Sequence, residues 1–436
     1  MDVNIIMVLN WGMYFATFLR SQKHHGLTVS SFLWFVYSLF AVFSIYLCAS
    51  GLYWRVVQTN SMEFATLSPI PFLMNYMCVY ILLMPLQKIR FINFDVFRFK
   101  YSKTNYSFII ALLLIEFTYS VMKLNQFGIA LSYGLGNFHD LGGDLQNTIY
   151  YGENPILLLI NYLGRFCHAI IMPFIMIYIV NGALCRKISK SFLALFIIIY
   201  IVNTFVVGLT TGSRAELFFS ILNVSFFVIL FWDKISKKIR SQIFIGGGIF
   251  CSAIVFFTSQ ITEERFSDGA ITPIESVYRY LGETFPNLGY EYWDRANYTE
   301  GKRLFPDWYT FFDSNFRSRD ADYWCYYTKT RVDYFKTLYG DLYVEFGPIV
   351  PFFLILFISL LMTKYIRGKT IGTEKIGLIY WYYSICTGGI FGFLHLSSFQ
   401  DYLIIVVALC VTKVLKMQFL TQSSNVTSTS LYNLKK

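Results

Sequence analysis

The stretch IIIYIVNTFVVGLTTGSRAELFFSILNVSFFVILFW, residues 197–232, decides the fold, because two strongly apolar runs flank a short polar turn. Runs of about 17 to 25 apolar residues have the length that a helix needs to cross a bilayer. The runs at 192–210 and 215–232 therefore predict two membrane-spanning helices joined by a hairpin at 210–214. Arg214 lies in this hairpin, and a cation at that place needs a physical reason.

The composition extends this prediction to the whole chain. Of its 436 residues, 56% are hydrophobic and 14% are charged. A soluble globular domain carries about 25% charged residues. The composition excludes a soluble globule and indicates a polytopic membrane protein.

Apolar runs of spanning length recur along the chain, and the predicted fold class is an all-α polytopic membrane protein with about 11 transmembrane helices. The first run has neither a basic start nor a small-residue cleavage site, so we expect a retained span rather than a signal peptide. The runs lie at 3–19, 30–54, 67–87, 106–125, 157–183, 192–210, 215–232, 242–261, 346–363, 376–394 and 399–416.

The positions of Lys and Arg predict the orientation, because short cytoplasmic loops carry the positive excess. The net charge of +10 follows from this topological signal and from attraction to anionic lipids, and gives no reason to expect nucleic acid. An odd number of spans places the N-terminus outside and the C-terminus in the cytoplasm. The basic segments are RSQKHHG, KIRFINFDVFRFKYSK, CRKISK, DKISKKIR and KYIRGKTIGTEK.

Four parts follow from this topology. Residues 1–261 form transmembrane helices 1 to 8, and 262–340 form one large extracytoplasmic loop. Residues 341–420 form helices 9 to 11, and 421–436 form a polar, disordered cytoplasmic tail. We expect function to lie in the large loop, because it is the one long polar insertion.

The large loop is rich in aromatic residues interleaved with arginines and carboxylates. Aromatic rings stack on the C–H faces of sugars, and polar groups bind the hydroxyls. Trp293, Trp308 and Tyr339 are the candidate sugar-stacking residues. The alternative is that such rings pack the core of the loop or line the membrane interface.

Arg214 is predicted at the start of a helix on the outer face, where Gly212 allows a tight turn and Ser213 can cap the helix. The helix dipole is positive at this end and its free N–H groups point toward anions. Arg214 therefore suits a phosphate or diphosphate at the membrane surface. The alternative is an arginine that snorkels to lipid phosphates.

The hairpin TGSRAE, the late outer loop and the segment YGDLYVEFGPIVPFFLILF together resemble the Wzy-type O-antigen and capsular oligosaccharide repeat-unit polymerases over residues 190–410. The resemblance implies a GT-C-like helical bundle in the bacterial inner membrane. It implies an enzyme that joins undecaprenyl-diphosphate-linked glycan donor and acceptor among the membrane lipids, with a chain-length regulator and a flippase as protein partners. It also implies that Arg214, Arg265 and Arg279 bind the charged parts of these substrates.

The chemistry of this transfer requires positive charge at the leaving diphosphate and a base at the acceptor hydroxyl. The candidate bases are Glu283, Asp341, Glu345 and His395. Asp341 and Glu345, four residues apart, form a pair at the outer end of the ninth predicted span. Glu283 lies in IESVYRYLGETF, where Glu275, Arg279 and Glu283 are one turn apart. A solvated salt-bridge ladder is the alternative explanation of that spacing.

Two ionisable residues, Arg165 and His168, fall within the fifth apolar run, three positions apart. Charged groups inside a bilayer are costly and face protein or water. We expect them to line a cavity toward the lipid diphosphate, and pairing with Glu116 is the structural alternative.

The segment RDAD, with Asp320 and Asp322, matches the DxD pattern by which many glycosyltransferases hold a metal and a nucleotide sugar. Two close aspartates are common by chance, and the resemblance implies neither metal nor other cofactor. The sequence thus favours a metal-independent polymerase. An O-antigen ligase and a lipid-linked glycan flippase remain the alternatives, ahead of an acyltransferase or a scaffold.

Overall fold

A computed structural model describes most of the chain in a mainly helical form. The described residues are 1–53, 67–89, 99–134, 154–170, 174–210, 214–265, 272–293, 295–313, 321–332, 335–366 and 375–392, with isolated positions at 138, 149–150, 152, 316, 406–407, 410–411 and 413–414.

The helices follow one another in this order. The first nine are α1 (Val3–His25), α2 (Val29–Ala49), α3 (Ile70–Leu83), α4 (Lys103–Tyr133), α5 (Pro155–Ile170), α6 (Met176–Leu184), α7 (Lys190–Thr210), α8 (Arg214–Leu230) and α9 (Lys237–Arg265). The next seven are α10 (Pro273–Gly282), α11 (Thr284–Asn287), α12 (Pro306–Phe312), α13 (Ala321–Thr328), α14 (Leu338–Phe346), α15 (Val350–Ile366) and α16 (Ile376–Gly388). A π-helical turn, Leu288–Tyr292, follows α11.

The helical class is confirmed, since a helix occupies each of the first ten apolar runs. Among the described residues, three helices are long and apolar enough to cross a membrane, namely Val29–Ala49, Lys103–Tyr133 and Lys190–Val207. Shorter apolar helices include Ile70–Leu83 and Val350–Ile366. The run at 399–416 lies largely outside the described residues, and the count of eleven spans stays a prediction.

Local signals explain how the first hairpin forms. Asp2 caps α1 by accepting hydrogen bonds from the backbone N–H groups of Asn4 and Ile5. Gly26, with φ of 65°, ends α1, and Thr28 with Ser31 forms a capping box at the start of α2. The side chain of Tyr14 on α1 is fully buried against α2, where its ring stacks on that of Tyr37 at 5.6 Å.

The segment from 272 to 346, here called the insert, packs directly on these helices. On α10, an added Cβ at Gly282 would lie 2.6 Å from the Phe43 carbonyl oxygen, so only glycine allows this approach to α2. The hydroxyl of Ser44 on α2 donates to the Gly282 carbonyl at 2.6 Å. Asn287 then accepts a hydrogen bond from the Tyr53 hydroxyl at 2.9 Å. The insert is therefore joined to the helical bundle along its first two helices.

Helix α14 completes this attachment from the other end of the insert. Its first residue, Leu338, donates its N–H to the Gly389 carbonyl at 2.8 Å, and Tyr339 N–H reaches Asn75 on α3 at 3.4 Å. All residues from 338 to 345 are buried. Gly347, with φ of 77°, ends α14. Helix α14 thus crosses the predicted division between loop and span at 340 and 341, and α15 begins separately at Val350.

Candidate functional site

The paired carboxylates predicted from the sequence, Asp341 and Glu345, lie one turn apart on α14 and face the same cation. That cation is Arg303, in the turn before α12. Its Nη2 donates to Asp341 Oδ1 at 2.5 Å, and its Nε lies 2.7 Å from Glu345 Oε1. The second contact is a charge contact without hydrogen-bond alignment. The Arg303, Asp341 and Glu345 side chains are 8%, 1% and 0% exposed, so the three charges are withdrawn from water.

A second cation completes the group, which we call the ion cluster: Arg303, Lys336, Asp341 and Glu345. Lys336 Nζ lies 3.0 Å from Asp341 Oδ1 and donates to the Val332 carbonyl at 2.6 Å. The hydroxyl of Thr299 donates to Glu345 Oε2. Two cations therefore balance two carboxylates, and hydrogen bonds from the insert satisfy further lone pairs.

Burial shifts the acid–base chemistry of the ion cluster. Burial raises the pKa of the Glu345 carboxyl above its ordinary value, against the lowering effect of Arg303. Burial also lowers the pKa of the Lys336 ammonium, against the raising effect of Asp341. A carboxyl with a raised pKa is suited to proton transfer near neutral pH. In this conformation, however, Glu345 has no exposed surface through which an acceptor could reach it.

Asp341 also contacts the end of the last described helical region. An added Cβ at Gly392 would lie 3.1 Å from Asp341 Oδ2. The segment that follows Gly392 contains His395, which lies outside the described residues. The structure therefore brings the predicted bases Asp341 and Glu345 together and places Asp341 beside Gly392, which is three positions before His395 in the sequence.

The third predicted base, Glu283, directly follows α10 and pairs with Arg279 of that helix. Arg279 Nε donates to Glu283 Oε2 at 2.8 Å, and both side chains are largely buried. Glu275 accepts a hydrogen bond from Thr272 N–H at 2.9 Å and forms a capping box at the start of α10. The spacing of these charges thus produces one half-buried ion pair and one helix cap. Tyr280 on the same helix packs edge-on against Phe335, the neighbour of Lys336, at 4.6 Å, which brings α10 next to the ion cluster.

For two other predicted anion-binding arginines, Arg214 and Arg265, the structure describes the backbone and not the side chain. Arg214 is the first residue of α8, where a helix start was predicted, and Arg265 is the last residue of α9. The predicted turn at Gly212 and cap at Ser213 lie outside the described residues.

The three predicted sugar-stacking rings have different environments. Trp293 stacks on Tyr343 at 5.2 Å, with 29° between the rings. Tyr339 is fully buried and donates its hydroxyl to the Pro348 carbonyl at 3.1 Å, which is the packing role that the sequence left open. Trp308 on α12 is exposed. Trp308 thus offers a surface for contact from outside, whereas Tyr339 stabilises the core.

Two grooves on the insert supply the accessible surface that the ion cluster lacks. The tyrosine groove has a volume of about 1190 Å³, and its walls include Tyr298, Tyr326, Tyr327 and Tyr343. Its charged lining comprises Glu291, Arg295, Glu300, Lys329 and Arg331.

The apolar groove is smaller, at about 480 Å³. Phe305, Trp308, Tyr309, Phe312 and Phe346 supply its apolar lining, together with Gly301. Glu300 lines both grooves, so the two grooves meet at this residue. Glu300 N–H also donates to the Glu345 carbonyl at 2.8 Å, which attaches the junction to the helix of the ion cluster.

The ionisable groups of the fifth apolar run form a separate site. His168 Nδ1 lies 2.8 Å from Glu116 Oε1, which is the structural alternative considered from the sequence. Asn203 on α7 donates its side-chain amide to the same oxygen, and the His168 ring stacks on Tyr200 at 5.0 Å. Arg165 is exposed on α5. We call Glu116, His168 and Asn203 the helix-bundle cluster, because three helices supply one residue each.

The structure describes one of the two aspartates of the RDAD segment. Asp322 is exposed on α13, and Asp320 lies outside the described residues. Among the residues that the structure describes, no group of three or more His, Cys, Asp and Glu side chains could hold a metal ion.

Sequence reasoning did not single out Arg303, Lys336 or Asn203. Arg303 is 38 residues from Asp341, and only the folded insert brings the two together. A signal for Asn203 existed, because an amide within the apolar run of α7 requires a hydrogen-bonding partner.

This chain was compared with models of protein families, with curated proteins and with solved structures, and none of them matches it.

Proposed function

We propose that this protein is a metal-independent glycosyltransferase of the bacterial inner membrane that polymerises oligosaccharide repeat units carried on undecaprenyl diphosphate. The product is O-antigen or capsular polysaccharide. The observation that carries this proposal is the tyrosine groove, an accessible surface of tyrosines and charged side chains on an insert packed against apolar helices.

The size and chemistry of the tyrosine groove support an oligosaccharide ligand. Its volume of about 1190 Å³ exceeds the range of roughly 300–1,000 Å³ that is usual for small-molecule sites. Four tyrosines offer ring faces for sugars and hydroxyls for hydrogen bonds. Arginine and lysine side chains in the same walls bind hydroxyl and carboxylate oxygens. An extended, polar and ring-containing ligand uses all of these groups.

The division of chemical tasks follows from the charges. In this proposal Arg214, Arg265 and Arg279 neutralise the diphosphate leaving group, because arginine stays charged and binds phosphate with two donors. A carboxylate or His395 takes the proton from the acceptor hydroxyl. The raised pKa of Glu345 suits this role, and the acceptor reaches Glu345 only after a displacement of α14 or of the described elements packed on it.

The proposed topology has eleven spans, an extracytoplasmic N-terminus and a cytoplasmic C-terminus. The insert then belongs to the large extracytoplasmic loop, where flipped lipid-linked units are available. A flippase that delivers these units and a chain-length regulator that limits the product are the expected protein partners.

Polymer length in cells tests this proposal. Tyr326 is the most exposed ring of the tyrosine groove, so Tyr326→Ala combined with Arg331→Ala removes groove chemistry with little effect on the core. We expect long polymer to disappear while single repeat units continue to reach the surface, as seen on gels of extracted glycans. Tyr323→Ala on the same helix is the matched control, because Tyr323 is exposed but is not part of the groove lining.

Two outcomes oppose the proposal. Normal polymer length in the double variant shows that the tyrosine groove does not bind the growing glycan. Long polymer that accumulates on the lipid carrier without transfer to its final acceptor indicates a ligase.

A further inference from the structure

Helix α12 displays large apolar side chains in a polar part of the chain. Phe311 and Phe312 are 70% and 78% exposed, and the helix is only seven residues long. Such exposure is unfavourable in water and indicates contact with an apolar phase or ligand. Trp308 and Phe312 turn toward the apolar groove, whose opposite wall contains Phe346 at the end of α14.

The apolar groove is close in the chain to the exposed apolar start of α15. Phe346 lies four residues before Val350, the first residue of α15. The next apolar side chains along the chain, Ile349, Val350 and Phe353, are all exposed, and α15 is one of the shorter apolar helices. A hydrocarbon chain that lies on the exposed start of α15 is therefore near the apolar groove, whose lining residue Phe346 is three positions from Ile349.

The junction of the two grooves is charged, in contrast to the apolar groove. Glu300 lines both grooves and forms an exposed ion pair with Lys302, with 2.7 Å between Lys302 Nζ and Glu300 Oε2. Exposed ion pairs of this kind contribute little stability, so a phosphate can replace the Glu300 carboxylate at the ammonium group.

We infer that the apolar groove binds the hydrocarbon chain of the polyprenyl diphosphate carrier next to its diphosphate, and that Lys302 contacts the diphosphate at the junction. The glycan attached to the carrier then lies in the tyrosine groove. The sugar part of this arrangement rests on the proposed function, whereas the chain and diphosphate part requires only an apolar chain with a charged head.

Photo-crosslinking of the purified full-length protein in nanodiscs tests the site. The probe is undecaprenyl diphosphate with a diazirine in the isoprene units nearest the diphosphate. We expect crosslinks in the peptides that contain 305–312 and 346, and competition by unmodified undecaprenyl diphosphate. Crosslinks confined to other helices would overturn the inference.

Substitutions at two neighbouring positions distinguish a groove that binds the carrier chain from a helix that only anchors the insert to the membrane. Phe312→Asp places a charge in the groove and should weaken probe binding about tenfold. Phe311→Asp is the matched control, because Phe311 is equally exposed and does not line the groove, so probe binding should stay unchanged. Equal losses in both variants would mean that α12 anchors the insert to the bilayer and binds no carrier chain.

Lys302→Ala should weaken binding of undecaprenyl diphosphate and leave binding of undecaprenol unchanged, since only the first carries phosphate. Loss of both, or of neither, contradicts the role of Lys302. These assays contain no sugar and no polymerisation step. A protein that binds the probe as expected and makes no polymer contradicts the proposed function alone.

Discussion

The ion cluster of the insert and the helix-bundle cluster both contain buried carboxylates, but the partners of these carboxylates differ. The ion cluster balances two carboxylates with two cations, and its carboxylates also accept a threonine hydroxyl. The helix-bundle cluster holds one carboxylate, Glu116, with a histidine and an amide. The carboxylates of the insert contact arginine and lysine. The carboxylate of α4, a candidate spanning helix, instead contacts an imidazole from α5 and an amide from α7, and charged groups inside a bilayer are costly.

This difference predicts which substitutions should destabilise each cluster. Removing one member of a buried ion pair leaves an uncompensated charge, which costs more than the pair contributed. In the described structure Glu116 contacts an imidazole and an amide and no arginine or lysine, so it depends less on a permanently charged partner. Substitutions that change charge but retain shape should therefore have unequal effects in the two places.

The largest effect is expected for Arg303→Met. This change leaves Asp341 and Glu345 buried with Lys336 as their remaining cation, and should lower the free energy of unfolding by about 3–5 kcal/mol. The measurement is reversible unfolding of the purified protein in detergent. Lys302→Met, one position away at an exposed ion pair, is the matched control and should not shift the transition. Similar transitions for both variants would show that the cluster is not electrostatically important.

An intermediate effect is expected in the pH dependence of Glu345→Gln. Because the folded-state pKa of Glu345 is raised, the folded protein holds this proton more tightly than the unfolded chain does. The corresponding stabilisation is fully present below the ordinary glutamate pKa and is lost as the pH rises through the folded-state value.

The wild type should therefore lose stability relative to Glu345→Gln as the pH rises from about 4.5 toward neutrality. Unfolding midpoints of the two proteins across this range provide the measurement. A difference that does not change with pH would place the Glu345 pKa at its ordinary value.

The smallest effect is expected for Glu116→Gln in the helix-bundle cluster. The glutamine oxygen can still accept from Asn203, so the loss should be on the order of 1 kcal/mol, as for other polar contacts between membrane helices. Unfolding by denaturing detergent measures it. A loss as large as that of Arg303→Met would mean that the charge of Glu116 is required, and the contrast between the two clusters would disappear.

The sequence predicted local features better than long-range ones. Asp341 and Glu345 were expected as a pair because a spacing of four places two side chains on one helical face. Their burial was not expected, because the helix that carries them was read as the outer end of a span. Only the fold of the insert reveals Arg303 as their partner, because no local pattern connects positions 38 residues apart.

The helical framework was predictable from apolar periodicity and length, since each of the first ten runs contains a helix. The burial or exposure of individual aromatic rings was not predictable. Trp308 and Tyr339 are both aromatic residues in a polar region, yet Trp308 is exposed and Tyr339 is fully buried. The composition of the region does not predict which of the two rings is buried, because the neighbours of Tyr339 come from α3 and from the turn after α14.

The close approach at Gly282 restricts how the protein can open. The backbone of α10 rests on the backbone of α2 there, and a hydrogen bond from Ser44 fixes the contact. Moving α10 away from α2 would break this hydrogen bond and separate two backbones in close contact, so we expect the two helices to move together. Displacements that admit a ligand are therefore expected in α12, α13 or α14 rather than between α10 and α2.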